Sequence, residues 1–136
     1  MDRRTFRGKR IDNGEWVYGY LTTDYLQESD RLYIVGIGVK TRQIDKNTIG
    51  QCTGLLAAKS YRGESEDDRT IFEGDIVESE NADGEIKEAY VFYKYGGFCT
   101  RTNGKVHPLF IIATDQLKII GTIFDAERAG SDDMHT

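Results

Sequence analysis

The 136-residue sequence predicts a mostly β fold, on three observations. Glycine occurs 15 times and proline once, which predicts that glycine occupies most of the turns, as in hairpin-rich proteins. Short runs rich in β-branched and aromatic residues recur at spacings of about ten residues. Turn dipeptides such as Asn-Gly separate these runs. Together these features predict a small barrel or sandwich in the C-terminal part, preceded by an N-terminal β-hairpin subdomain.

The composition is that of a globular protein. Hydrophobic residues make up 38% of the chain and charged residues 30%, which argues against overall disorder. No apolar run approaches the roughly 18 residues of a transmembrane helix. The N-terminus also has no apolar segment of the kind that forms a signal peptide. We therefore expect a cytoplasmic protein that does not associate with a membrane.

The first ten residues are strongly basic. They carry one acidic residue, Asp2, and the five cations Arg3, Arg4, Arg7, Lys9 and Arg10. This segment has a formal charge of +4, so the other 126 residues carry −9 of the total of −5. The chain is therefore a basic first strand followed by an acidic body.

The first predicted element is a hairpin. Asn13-Gly14 lies between two strand-like runs, and both residue types tolerate the positive φ of a type I′ turn. We predict a hairpin from Thr5 to Thr22. Alternation along its second arm places three aromatic residues on one face, with Val17 and Leu21 on the other; the three are Trp16, Tyr18 and Tyr20.

The middle of the chain predicts short strands and then a loop. Leu32–Val35 and the extended run from Val39 to Thr53 are too short and too β-branched for helices. From 57 to 70 the chain is highly charged and has no periodicity, which predicts a mobile acidic loop. We therefore divide the chain into an N-terminal β subdomain (1–56), this loop (57–70), a β-barrel part (71–125) and a flexible tail (126–136).

The C-terminal part has the clearest strand pattern. A strand beginning at Asp75 is followed by further strand-like runs at 89–93, 98–101, 106–109 and 117–124. Turns are predicted at 81–84, 96–97 and 103–104. Helix is scarce, and only one turn is expected, around 110–116.

The two cysteines, Cys52 and Cys99, are too few for a secreted disulfide scaffold and lack the spacing of a zinc site. We predict two buried or half-buried free thiols in a reducing compartment. A bridge between them is the alternative, because a sequence does not report proximity.

Motifs for cofactors and catalysis are incomplete. Gly36-Ile37-Gly38 lacks the third glycine and the following helix of a dinucleotide-binding motif, so we expect a bend and no cofactor. His107, beside Pro108, is expected on the surface. Three acids could serve a metal-dependent hydrolase: Glu73, Asp75 and Asp115. Asp75 has a simpler interpretation, since a carboxylate at a strand entry can accept backbone N–H bonds and hold a tight turn.

The basic N-terminal strand has two interpretations. Its cations could neutralise phosphates while bases stack on Trp16, Tyr18 and Tyr20, which would make a nucleic-acid site. Alternatively, Arg3, Arg7 and Lys9 could protect an edge strand from unwanted pairing. The negative net charge argues against general DNA binding, so we favour edge protection.

Two segments, Gly50-Gln51-Cys52-Thr53-Gly54-Leu55 and Ile71-Phe72-Glu73-Gly74-Asp75-Ile76-Val77, resemble the YopX family of phage and prophage proteins. A third, Ile120–Asp125, resembles the family's C-terminal strand, and Trp16 matches an early tryptophan. The resemblance extends from about Phe6 to Phe124. The chain departs from the family pattern in its longer acidic insert before Ile71 and in Thr122, where asparagine is common.

The resemblance implies an SH3-like barrel in the C-terminal part, a phage or prophage origin and action inside a bacterial host. It implies no enzyme activity, because the family is chiefly uncharacterised. The family-like residues are of kinds that build turns and cores, so we interpret them as structural: Thr53, Gly54, Glu73, Gly74, Asp75 and Gly121.

The leading hypothesis is a non-catalytic interaction module that binds a protein partner or a second copy of itself. A nucleic-acid-binding module that uses the basic N-terminal strand is the alternative. A metal-dependent hydrolase is a second alternative. No cofactor and no resident metal are expected.

Overall fold

The computed structural model describes residues 5–23, 31–36, 40–80, 82–94, 96–102, 104–109 and 116–125. The chain divides into two compact units, residues 1–52 and 53–136. The division falls within one strand, four residues before the end of the predicted N-terminal subdomain. Each unit has a hydrophobic core of its own.

Unit 1 is an antiparallel sheet. Its strands lie in the order β4-β3-β2-β1-β5, and β5 continues into unit 2. A 3₁₀ turn at Lys46–Thr48 precedes β5. The strand bounds are β1 Phe6–Lys9, β2 Trp16–Thr23, β3 Leu32–Gly36, β4 Arg42–Ile44 and β5 Gly50–Leu56.

The core of unit 1 lies on one face of this sheet. Val17, Ile34 and Ile44 are buried there, and four partly buried side chains pack against them: Phe6, Leu21, Leu32 and Ile49. Ile44 comes close to β1 at Gly8, where a Cβ atom would lie 2.8 Å from the Ile44 Cδ1 atom. The glycine at position 8 therefore makes room for a core side chain.

The predicted N-terminal hairpin is confirmed. β1 and β2 pair with Phe6 opposite Gly19 and Lys9 opposite Trp16. The turn is longer than a two-residue type I′ turn, because the Arg10 N–H donates to the Glu15 carbonyl across four intervening residues. Gly14 supplies the positive φ, +74°, that this loop needs.

The interpretation of β1 as a protected edge strand is wrong. β1 pairs with β2 on one side and with β5 on the other, with Phe6 opposite Gln51 and Arg7 opposite Gly50. The pairing with β2 could be predicted because the two strands are close together in sequence. The pairing with β5, more than 40 residues away along the chain, could not be.

Unit 2 contains the second sheet, in the order β11-β10-β9-β8-β12-β6, and β7, which lies beside β5. The β6–β12 pair is parallel and the others are antiparallel. The mostly β prediction is thus confirmed at the level of two sheets. The elements are β6 Lys59–Ser60, α1 Glu66–Arg69, β7 Thr70–Phe72, β8 Asp75–Glu80, β9 Ile86–Lys94, β10 Gly97–Thr102, β11 Lys105–Pro108 and β12 Lys118–Thr122.

Strands β8 to β11 form a meander whose turns are where the sequence predicted them. Glu80 pairs with Ile86, Lys94 with Gly97, and Thr102 with Lys105. Each connection contains one glycine at a φ near +80°: Gly84, Gly96 and Gly104. Gly97, predicted as a turn residue, already belongs to β10.

The core of unit 2 is formed by seven buried side chains, which come from four of its strands and from the segments between strands. They are Ala57, Ile71, Val77, Val91, Leu109, Leu117 and Ile119. Leu55, Ala89 and Phe98 pack against this cluster. Because strands far apart in sequence contribute to it, the core closes only when the whole unit is assembled.

The prediction of an irregular, mobile loop at 57–70 is wrong in its detail. This segment contains β6 and the helical turn α1, whose N-cap residue Ser65 accepts a 3.0 Å hydrogen bond from the Asp68 N–H. Three acidic residues in the first turn favour the helix N-terminus electrostatically. A capped helical turn thus replaces the expected loop.

Other predictions have mixed outcomes. Cys52 and Cys99 are buried free thiols, as predicted, and His107 is exposed on β11. Several predicted features lie outside the described residues: most of the Gly36–Gly38 bend, most of the helical turn at 110–116, the tail from 126, Arg3, Arg4 and Asp115. None of the helices in the described part of the chain has the length and apolarity of a membrane span.

Gly19→Ala should destabilise unit 1. A Cβ atom there would lie 2.0 Å from the backbone carbonyl oxygen of Val35, so β2 and β3 would have to separate. We expect a loss of about 1–3 kcal/mol in the free energy of unfolding, measured by urea denaturation. Gly97→Ala is the matched control, because its Cβ would meet nothing within 4 Å. Equal stability of the two variants would contradict the close approach at Gly19.

Candidate binding surface

The three predicted aromatic residues of β2 do share one face of the sheet. Tyr18 lies opposite Arg7, Trp16 opposite Lys9, and Tyr20 opposite Val35. Directly opposed residues of antiparallel strands place their side chains on the same face. We define the aromatic face as this side of β2 and β3; its residues are Trp16, Tyr18, Tyr20, Tyr33 and Val35.

Burial decreases across this face from β1 toward β3. Arg7 on β1 is completely buried, while Trp16 and Tyr18 on β2 are half-buried. Tyr20 and Val35, which are cross-strand partners, are 46% and 42% exposed. The solvent-facing end of the aromatic face is therefore the β2–β3 end.

The cations of β1 contact Trp16. The Arg7 guanidinium carbon lies 4.6 Å from the centroid of the indole ring, and the Lys9 ammonium lies 5.3 Å from it. Such cation–π contacts are stronger where the cation is desolvated, as it is at Arg7. The indole ring is thus occupied by the protein's own cations.

Arg10 is also engaged within the protein. Its Nε and Nη2 atoms donate to the two carboxylate oxygens of Asp12 at 2.9 and 2.7 Å. The hydrogen bonds from Arg10 lower the pKa of Asp12, and those to Asp12 raise the pKa of Arg10. This fork-to-carboxylate pair lies at the base of the β1–β2 loop.

The described residues of the predicted basic site therefore do not form an exposed cluster of cations. Arg7 is buried, Lys9 is half-buried over Trp16, and Arg10 binds Asp12. Arg3 and Arg4 are outside the described residues. Of the predicted binding residues, Tyr20 is the one described with a largely exposed side chain.

Sequence reasoning missed Tyr33 and Val35. They lie on the aromatic face because β3 pairs with β2, with Val35 opposite Tyr20 and Tyr33 opposite Thr22. The alternation of β3 alone could have assigned them to the face opposite the buried Ile34. Pairing β3 with β2 was the missing step. Thr22 and Gln43, the described cross-strand neighbours of Tyr33, are uncharged.

The second group of predicted residues surrounds Asp75 in unit 2. The Asp75 carboxylate is fully buried, and its Oδ2 atom accepts a 2.7 Å hydrogen bond from the Phe72 N–H. This bond closes the turn between β7 and β8. The interpretation of Asp75 as the residue that holds a tight turn is confirmed.

Arg62 is the partner of Asp75 that the sequence did not reveal. Its Nη1 atom donates to Asp75 Oδ1 at 3.2 Å, and its side chain is 12% exposed. Its Nη2 and Nε atoms donate to the carbonyls of Thr70 and Asp68, at 2.7 and 3.2 Å. One guanidinium thus joins the end of α1, the start of β7 and the start of β8.

The other family-like residues also have structural roles. Thr53 donates its hydroxyl to the Ile71 carbonyl at 2.7 Å, and Gly54 adopts a φ of +79°. Gly74, at φ +93°, donates its N–H to the Val91 carbonyl and accepts from the Ile123 N–H. Gly121 lies at a register shift in the β12–β8 pair.

Glu73 lies in the turn between β7 and β8, beside Gly74. Across the described ranges, His, Cys, Asp and Glu side chains form no group of three or more that could hold a metal ion. Both oxygens of Asp75 accept hydrogen bonds from protein groups. The arrangement around Asp75 therefore fits a turn-stabilising role.

Asp75→Ala should be strongly destabilising. The change leaves a mostly buried guanidinium and a buried N–H without their acceptor, so we expect a loss of about 3 kcal/mol in the free energy of unfolding. Asp12→Ala is the matched control, since it removes a carboxylate from an arginine at an exposed site. Urea denaturation of both variants provides the measurement. A midpoint for Asp75→Ala equal to that of Asp12→Ala would refute the role of the buried pair.

The Arg10–Asp12 pair predicts a pH effect. Hydrogen bonds from Arg10 lower the folded-state pKa of Asp12, so their contribution is present at neutral pH and is lost as the pH falls through that pKa. In an NMR titration, the Asp12 carboxyl should titrate at lower pH in the wild type than in Arg10→Gln. Lys87→Gln, a change at an exposed site in unit 2, should leave it unchanged. Identical titration in all three proteins would mean that Arg10 is available to other ligands.

Comparison with known proteins places this chain in a family. No curated protein and no solved structure matches it. The model of the family described as YopX protein matches residues 5–128, and this match covers the strands that form both units, the turn at Asp75 and the aromatic face. The chain therefore belongs to the YopX protein family.

Proposed function

We propose that this protein is a non-catalytic binding module that recognises a protein partner through the exposed end of the aromatic face. The observation that carries the proposal is the cross-strand pair of uncharged side chains Tyr20 and Val35, which are 46% and 42% exposed. Tyrosine is enriched in protein interfaces, where it supplies a large contact area and a polar hydroxyl.

The uncharged side chains of Tyr20, Val35 and their described neighbours favour a protein ligand. Charged residues make up 30% of the chain, but Tyr20, Val35 and the described residues Thr22, Tyr33 and Gln43 beside them are all uncharged. Tyr20 and Val35 themselves carry no charge, so the burial of their apolar area is not offset by the cost of removing a charge on either side chain from water.

The described residues support a nucleic-acid site less well. Phosphate recognition requires cations that can replace the counterions of the backbone. Arg7 is buried, and Arg10 donates two hydrogen bonds to Asp12. Trp16 already contacts two cations on its ring. One end of the aromatic face therefore has exposed aromatic area on which bases could stack. At the other end, the described cations already contact groups of the protein and are poorly placed to bind phosphates.

Action by binding alone is supported by the roles of the family-like residues. Thr53 and Asp75, the polar ones with described hydrogen bonds, use these to hold backbone groups of β7. The glycines among them occupy positive-φ positions or a register shift. These residues stabilise the fold. The exposed side chains of the proposed interface, Tyr20 and Val35, lie elsewhere, on β2 and β3.

The proposal includes three features implied by the family resemblance. They are an SH3-like barrel in the C-terminal part, a phage or prophage origin, and action in the cytoplasm of a bacterial host. Support for the barrel comes from the meander β8 to β11, beside which β12 returns to pair with β8. Support for the origin comes from membership in the family.

Binding should be lost on changing the aromatic face. We expect Tyr20→Ser/Val35→Ser to weaken association at least about tenfold, because central aromatic contacts dominate interface energies. Ile86→Ser/Tyr93→Ser is the matched control, since it removes one aliphatic and one aromatic side chain that are 59% and 50% exposed in unit 2. Sedimentation measures self-association, and crosslinking in induced host cells, followed by mass spectrometry, identifies partners.

A partner retained by the wild type and the control but lost from the face variant supports the proposal. If no self-association and no crosslinked partner depends on Tyr20 and Val35, the proposal is wrong. The same proteins are titrated with single- and double-stranded DNA and RNA at increasing salt. Tight binding at low salt that falls steeply with salt would replace the protein partner with a nucleic acid.

A further inference from the structure

A small open cavity lies in unit 1 beside the edge strand β4, and none of the five residues that define the aromatic face lines it. Its volume is about 190 Å³. The loop of the first hairpin, the start of β3, β4 and the 3₁₀ turn contribute its walls. The lining residues on which the argument depends are Ile11, Arg31, Leu32, Ile44, Asp45 and Lys46.

One wall of the cavity is apolar. Ile44 is buried and Leu32 is half-buried, both as part of the unit 1 core. Ile11 is 61% exposed, the most exposed large apolar side chain in the described part of the chain. Covering Ile11 would remove apolar area from water, which favours an occupant with an aliphatic or aromatic group.

The backbone around the cavity is already hydrogen-bonded. The Ile11 N–H donates to the Gln43 carbonyl at 3.1 Å, and the Asp45 N–H donates to the Lys9 carbonyl at 2.8 Å. Asp45 caps the 3₁₀ turn through a 3.0 Å bond from the Asn47 N–H to its Oδ1 atom. These bonds connect three of the lining segments, so the cavity is formed before any ligand binds.

The lining residues of the cavity carry a net charge opposite to that of the whole protein. Arg31 and Lys46 are exposed cations, and Asp45 is the one acidic residue among the lining residues. This local charge of +1 occurs in a chain of net charge −5. An anionic group beside an apolar group is therefore the complementary ligand chemistry.

The cavity is too small for a nucleotide or another drug-sized ligand, whose pockets occupy about 300–1,000 Å³. A single amino-acid residue is the matching size. We infer that this cavity binds the C-terminal residue of a peptide, with an apolar side chain against Ile11 and Leu32 and the free α-carboxylate facing Arg31 and Lys46. A free amino acid fits less well, because its ammonium group would lie near the same cations.

The test uses N-acetyl-leucine, which has the apolar side chain, the carboxylate and an uncharged amide of such a residue. Added to the full-length protein, it should shift the NMR amide signals of Ile11, Ile44 and Asn47 with a Kd on the order of 1–10 mM. N-acetyl-leucinamide, which lacks the charge, and N-acetyl-glycine, which lacks the side chain, should each bind at least about tenfold more weakly.

Two variants locate the site. Arg31→Ala/Lys46→Ala should weaken N-acetyl-leucine about tenfold and leave N-acetyl-leucinamide unaffected. Lys87→Ala/Lys105→Ala is the control, because it removes two exposed cations from unit 2. Ile11→Ser, at a side chain exposed enough for the fold to tolerate the change, should weaken both leucine probes.

Several results would overturn the inference. The first is the absence of shifts at Ile11, Ile44 and Asn47 with 20 mM probe. Equal affinity for the acid and the amide would eliminate the role of the cations, and equal loss in the two double variants would place the binding elsewhere. Because the comparison of probes uses the wild-type protein, a poorly folded variant does not prevent a decision. The outcome is also independent of any partner of the aromatic face.

Discussion

Unit 2 depends on one arginine. Arg62 lies two residues after the end of β6, and its guanidinium donates to the Asp68 carbonyl, the Thr70 carbonyl and the Asp75 carboxylate. The acidic segment 64–68 would otherwise repel itself and stay solvated. With Arg62 among its carbonyls, it forms a capped helical turn that leads into β7. The same contact neutralises a buried carboxylate, and that carboxylate closes the turn into β8. A single side chain, Arg62, thus connects the helical turn α1 with the start of β7 and the start of β8.

In unit 1, as in unit 2, cationic side chains stabilise the fold. Arg7 is buried against Trp16, and Arg10 holds the base of the first loop through Asp12. The basic N-terminal strand looked like a phosphate-binding feature because a sequence reports charge without reporting burial. The exposed cross-strand side chains Tyr20 and Val35, in contrast, are uncharged. The charged side chains of Arg7, Arg10 and Arg62 therefore stabilise contacts within the fold. The candidate interface is formed by the uncharged, exposed side chains of Tyr20 and Val35.

Local patterns allowed much of the fold to be predicted. The hairpin at Asn13-Gly14, the turns at Gly84 and Gly104 and the role of Asp75 follow from residues close together in sequence. The failures involve contacts between distant segments. β1 became an interior strand because β5 pairs with it, and Arg62 became the partner of Asp75 across 13 residues. The candidate surface was half predicted for the same reason: alternation identified Tyr20, whereas Val35 required the register between β2 and β3.

The parallel pairing of β6 with β12 sets an order of assembly during synthesis. Lys59 and Ser60 pair with Lys118 and Ile119, and the adjoining Ala58 and Tyr61 N–H groups donate to the carbonyls of Leu117 and Ile119. A ribosome must therefore make about 60 further residues before these groups find their partners, whereas the strands of unit 1 are complete once β5 emerges. For most of that interval all strands of unit 1 have been made, while β6 still has no partner. Truncation before β12 would leave β6 unpaired and the inner edge of β8 exposed to pairing with other chains.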